Sequence, residues 1–170
     1  MGAQAGAGES TCQSCGRLDP TVCVRGRAFP MAELCDDCWI DIANDLAEYE
    51  GATAGLTPKP GSDDVEWIEP AKCPECHGEI MAFPTNYDRS VHLASREFPA
   101  KEIPSRYRWR LMRIPGQFPP VAVRVAAAHP LPGELVRPAH VAVCLSPDAV
   151  AAVEDARESD LRRAQSREPG

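Results

Sequence analysis

The chain has 170 residues, 44% of them hydrophobic, and a formal net charge of −7. That length suits one ordinary domain or two small ones, and the acidic balance excludes a uniformly basic nucleic-acid coat. With 17 Pro, 12 Gly and only 6% aromatic residues, the composition argues against one large core and for cross-links or metals as stabilisers.

The first ten residues, MGAQAGAGES, have neither a basic start nor a long apolar run. They read as a flexible tail (residues 1–10) without a secretory signal or a myristoylation pattern. No apolar stretch approaches the ~20 residues of a membrane span. The expectation is a cytoplasmic protein with no membrane partner. Its eight cysteines then stay reduced and serve metal or redox chemistry in preference to disulfides.

Residues 11–50 read CQSCGRLDPTVCVRGRAFPMAELCDDCWIDIANDLAEYE after Thr11. Cys12-x2-Cys15 and Cys35-x2-Cys38 form the two-pair zinc signature, because each pair offers two thiolates from one tight knuckle and two knuckles close a tetrahedron. Between them TVCVRGRAF predicts a short hairpin turning at Arg25-Gly26. After them Trp39, Ile42, Ala43, Leu46 and Tyr49 recur at helical spacing. Knuckle, hairpin and ligand-bearing helix resemble a treble-clef zinc finger. Trp39, Ile42 and Leu46 are expected to pack on the hairpin beside the metal, the alternative being a partner-docking stripe. Asp36, Asp37, Asp41, Asp45 and Glu48 make a solvated acidic face. Cys23, without a partner at knuckle spacing, is read as a small hairpin side chain.

Residues 51–64 have a linker composition of Gly, Pro, Ser and Thr. Residues 65–147 predict a β-rich, zinc-ribbon-like domain. Its strands are VEWIEP, SVHLAS, RYRWRLMRI, VAVRVAAA and HVAVCL, with a turn in LPGELVRP. Ser146-Pro147-Asp148 then predicts a helix start, with Ser as N-cap and Pro at the first helical position, so residues 148–170 are a C-terminal helix and tail. The fold class is α+β, built of small zinc-stabilised modules.

Cys73 and Cys76 are half of a second metal site. The remaining thiols are Cys23 and Cys144, and the histidines are His77, His92, His129 and His140. His140 and Cys144 would lie on one face of an extended strand but roughly 13 Å apart, too far to share one zinc. Either the chain turns between them, or Cys144 binds alone with His77 or His92 as fourth ligand. The plainer possibility leaves Cys144 as a buried strand thiol and His140 as a satisfied polar residue.

The strings CPECH, PTNYDRSVHL, PAKEIPSRYRWRL, VAVRV and PLPGELVRPAHVAVC resemble an uncharacterised domain family of actinobacteria, especially streptomycetes, of unknown function, over about residues 73–144. The resemblance implies an actinobacterial source and places Cys73, Cys76, His140 and Cys144 in one pattern. It implies no activity.

Three functions compete. The leading one is a non-catalytic binding or regulatory module carrying two zinc ions, with a protein as partner. The alternative is nucleic-acid binding through Arg106, Arg108, Arg110 and Arg113, with Tyr107 and Trp109 interleaved. Strand alternation sets those aromatics opposite the arginines, which favours an Arg face paired with the acidic helix or with Asp88 and Glu97. An enzyme comes third. CPEC has redox spacing but lacks the helix-opening context, the zinc-deaminase order fails, and an open zinc with Glu75 or Glu79 as base has no other support. Tyr87, Asp88, Arg89 and His92 form a polar cluster read as a small binding site or as loop scaffolding.

Overall fold

The computed structural model describes residues 10–52, 71–125 and 130–166. The VEWIEP strand, most of the linker, the end of VAVRVAAA and His129 lie outside them.

The N-terminal segment starts with two short antiparallel ladders, β1 (Ser10–Thr11) with β2 (Leu18–Asp19) and β3 (Cys23–Val24) with β4 (Glu33–Leu34). The hairpin return is thus Glu33–Leu34, later than TVCVRGRAF suggests. Arg25 N–H donates to the Ala32 carbonyl and Met31 N–H to that of Arg25, so the loop doubles back before the ladder ends. Gly26 sits at φ +112°, and a Cβ there would collide with the Phe29 carbonyl oxygen. Cys35 then caps α1 (Asp36–Glu50), which ends at Gly51 in the left-handed region, φ +71°. Asp36 and Asp37 in its first turn suit the helix dipole.

The C-terminal segment opens with a three-stranded sheet of β5 (Ala71–Lys72), β6 (Glu79–Pro84) and β7 (Ser90–Ala94). A four-stranded sheet follows, in the order β10-β9-β11-β8: β8 (Phe98–Pro99), β9 (Arg108–Met112), β10 (Val121–Arg124) and β11 (Leu135–Pro138). Its pairs are antiparallel, and single bridges Thr85–Ala122 and Leu93–Ala139 join the two sheets. The chain closes with α2 (Pro147–Gln165), capped by Ser146 Oγ accepting from Ala149 N–H at 3.3 Å. The architecture is α+β, with antiparallel sheets and, among the described residues, two α-helices. No helix among the described residues is long and apolar enough to cross a membrane.

Two strand expectations are corrected. RYRWRLMRI is extended only from Arg108, because Ser105–Tyr107 form a 3₁₀ turn after Pro104. HVAVCL is not a strand. The ladder ends at Pro138, and His140–Ala142 form a 3₁₀ turn in which Ala142 N–H donates to the Ala139 carbonyl and Val143 N–H to that of His140.

The composition argued against one large core, yet the main buried cluster runs through both segments. It joins Leu34, Trp39, Ala43 and Ala47 to Phe83, Tyr87, Val91, Trp109 and Val136. Trp109 and Val91 are fully buried. Small residues on α1 let it approach closely, which is how an Ala-rich sequence fills a core with few aromatics. The α1 stripe therefore packs on the C-terminal segment as well as beside its own hairpin. A satellite cluster of Cys73, Cys144 and Ala149 lies at the other end of the sheets.

Candidate metal centres

Two groups of four side chains converge, Cys12, Cys15, Cys35 and Cys38, and Cys73, Cys76, His140 and Cys144. Within each, the ligand atoms lie within 4.8 Å of one another.

The two knuckles share one backbone design. In the first, Cys12 N–H donates to the Arg17 carbonyl at 2.9 Å and Gly16 N–H to the Cys12 carbonyl at 2.8 Å; in the second, Cys73 N–H donates to Gly78 and His77 N–H to Cys73, each at 2.9 Å. Gly16 (φ +71°) and His77 (φ +55°) hold the same left-handed position. That position folds the chain back on itself behind each pair, at no steric cost for Gly16 and against the usual preference for His77. It also places His77 in the turn and outside the converging donor set. His92 is exposed on β7, and Cys23 is exposed on β3. Neither belongs to a cluster.

The 3₁₀ turn after β11 resolves the spacing of His140 and Cys144. Coiling the chain between them brings His140 Nε2 to 3.4 Å from Cys76 Sγ and Cys144 Sγ to 4.0 Å from Cys73 Sγ. In the first group Cys15 Sγ lies 4.0 Å from Cys35 Sγ. A tetrahedral zinc with 2.3 Å bonds sets its sulfurs roughly 3.8 Å apart, so both donor sets fit such an ion in spacing and in chemistry.

The thiols show what a cation would do there. Backbone N–H groups of Cys15 and Cys35 draw the Cys12 thiol down to about 6, while the Cys35 side chain pushes Cys38 up to about 12. In the second group the Ser146 hydroxyl and N–H lower Cys144. Cys76 is pulled down by the Gly78 N–H, but burial and the Cys144 and Cys73 sulfurs outweigh that and raise it. Crowded thiolates repel, and a bound divalent ion lets them all ionise. Arg17, not singled out from the sequence, hydrogen-bonds to Cys15 and holds its own proton more tightly for it. A basic residue directly after a knuckle was the available signal. Burial and the nearby His92 lower His140, which suits a neutral imidazole ligand.

Gly78 closes the second site from outside. A Cβ there would lie 3.3 Å from Cys76 Sγ and 3.5 Å from His140 Cε1. Gly78→Ala is expected to weaken metal retention at this site on the order of tenfold in a chelator competition. Unchanged retention would show that the sulfur and ring move aside freely.

The four arginines do not share one strand face. Arg106 Nε donates to the Tyr49 carbonyl at 2.7 Å, at the C-terminal end of α1, and its guanidinium stacks on Tyr49 and Tyr107. Arg108 is buried and donates to the Ile103 carbonyl at 2.7 Å. Arg110 pairs with Glu134 at 2.5 Å. Arg113 is exposed beyond the end of β9. The cluster of Tyr87, Asp88 and Arg89 turns inward onto the N-terminal segment, with Asp88 paired to Arg27 and Tyr87 to Glu50.

Residues 52–168, which include the whole second donor set, match a family described as a family of unknown function (DUF6083). The chain belongs to the DUF6083 family. No curated protein and no solved structure matches it. The DUF6083 match extends beyond residues 73–144 at both ends and takes in all of α2, while the first donor set lies outside it.

Proposed function

We propose that the chain is a non-catalytic zinc protein acting as a binding or regulatory module. A treble-clef-like finger at residues 11–50 and a zinc-ribbon-like domain at residues 65–147 each hold one ion, with residues 51–64 as linker and the C-terminal helix packed behind the second site. One observation supports this reading above all. Each cluster supplies four protein donors, so a tetrahedral ion is fully ligated and keeps no open position for water or substrate. Catalytic zinc needs that position, so Glu75 and Glu79 have no ion-bound water to act on. Redox use of Cys73 and Cys76 is disfavoured because the pair sits in a knuckle, not at a helix start. The partner is a cytoplasmic protein. Nucleic acid is the weaker reading, since Arg106, Arg108 and Arg110 are engaged within the chain.

Elemental analysis of the purified protein tests the proposal. Two zinc ions per chain are expected, with one lost in Cys38→Ser and the other in Cys144→Ser. A single ion whose amount does not change in Cys144→Ser would eliminate the second site.

A further inference from the structure

The family match begins at residue 52, and a dense set of polar contacts crosses that boundary. Asn86, in the turn between β6 and β7, reads the backbone of the finger loop. Its Oδ1 accepts from Ala28 N–H at 2.6 Å and Phe29 N–H at 3.2 Å, and its Nδ2 donates to the Phe29 carbonyl at 3.3 Å. Its own carbonyl accepts from Arg27 N–H at 3.0 Å. Asp88, held at φ +58°, accepts from Arg27 Nε at 2.5 Å and from Trp39 Nε1 at 3.1 Å. Arg89 Nη2 donates to Asn44 Oδ1 at 2.8 Å and to the Ile40 carbonyl at 3.3 Å. Further along, Arg106 caps the end of α1 and Arg124 pairs with Glu50 at 2.7 Å. The finger meets this surface without slack, since a Cβ on Gly26 would lie 3.2 Å from Asn86 Nδ2 as well as on the Phe29 carbonyl.

A shared core alone does not require this. The contacts are polar and directional, and many of them run from family-side side chains to finger backbone. Such a surface reads a partner that is already folded, because the amides and carbonyls of residues 27–29 must be displayed in one fixed loop. Its cations, Arg89, Arg106 and Arg124, face an acidic helix, so charge as well as shape is matched.

We propose that residues 85–89, with Arg106 and Arg124, are a docking surface of the DUF6083 segment. Its ligand is a preformed knuckle-hairpin finger with an acidic helix, supplied in this chain by its own residues 11–50. The surface holds the finger by non-covalent contacts that suffice without the covalent connection. This goes beyond the zinc reading and depends on neither ion's identity.

The test uses the full chain with a protease site placed within residues 53–70, cleaved after folding and run on size exclusion at micromolar concentration. The two pieces are expected to elute together. Asn86→Ala removes three side-chain hydrogen bonds and should weaken the association on the order of 100-fold, enough to separate the pieces. Circular dichroism before cleavage verifies that the variant folds. Should Asn86→Ala fail to fold, Arg27→Ala with Arg89→Ala decides, because those side chains sit at the rim and leave the shared core intact; the expected loss is on the order of tenfold. Wild-type pieces that separate on cleavage would overturn the proposal. So would pieces of a folded variant that associate as tightly as the wild type.

Discussion

Cys144→Ser is expected to release one ion per chain and to unfold residues 71–166 as a unit, not merely to free the last helix. Cys73 and Cys144 are separated by 71 positions, and their sulfurs meet in a satellite core with Ala149 at the start of α2. The proposed ion therefore ties the first strand of the segment to the turn after its last strand. Cross-linking a loop of that length removes about 4 kcal/mol of unfolded-state entropy. Structural zinc in small peptides contributes roughly 10–16 kcal/mol of apparent binding energy near neutral pH. Domains of this size have about 5–15 kcal/mol of net stability, so losing the ion removes a large share of the whole. Thermal melting with hydrogen exchange checks it. A midpoint within about 3 °C of the parent, or protection lost in α2 alone, would show that the site is decorative. Cys38→Ser is the comparison, since its ligands span only residues 12–38.

Arg124→Ala is expected to cost about 3 kcal/mol near neutral pH, the lower end for breaking a buried pair because Arg124 is partly exposed. Glu50 is buried at the end of α1, accepts from Tyr87 Oη at 2.8 Å and pairs with Arg124 at 2.7 Å. Burial raises its carboxyl above the ordinary 4.5, against the opposing pull of Tyr87 and Arg124. Burial and the Glu50 charge likewise raise the Tyr87 phenol, so Tyr87 remains the donor. A raised acid contributes stability that is fully present below its unfolded value and is lost as pH rises through its folded value. Without Arg124 the folded value climbs further. The penalty of Arg124→Ala should therefore be largest at neutral pH and shrink on acidification toward 4.5, as Glu50 takes up its proton. Urea melts of both proteins at several pH values measure this. A penalty that stays constant with pH would mean that Glu50 finds another cation or water once Arg124 is gone.

Local chemistry was legible in the sequence. The CxxC pairs, the α1 stripe and the Ser146-Pro147 cap are each set by neighbours a few residues away, and spacing reports such features directly. What failed was extended structure near its ends. HVAVCL has the composition of a strand, but ladder partners stop at Pro138 and the backbone coils. Alternation in RYRWRLMRI suggested a basic face, yet Arg108 is buried and Arg106 reaches across to α1. Long-range polar partners were illegible. Asn86 finds Ala28 and Phe29 some 57–58 positions away, and Ser105 Oγ finds Asp160 across 55. No local pattern encodes such a pairing. The four donors of the second site were named together only through the family resemblance, whereas geometry left His77 and His92 open until the turn at residues 140–142 was known.

The two donor sets differ in how far along the chain they reach, and that difference imposes an order in time. All four N-terminal ligands have been made once residue 38 leaves the ribosome, so a first ion can be captured while most of the protein is still unsynthesised. The second set is complete only with residue 144. Until then Cys73 and Cys76 are an exposed, half-coordinated pair, open to mispairing with other thiols or to scavenging the wrong metal. Under the proposed two-ion reading, a nascent chain short of metal would fill its first set before its second, which would make the C-terminal half the portion most sensitive to metal supply during synthesis.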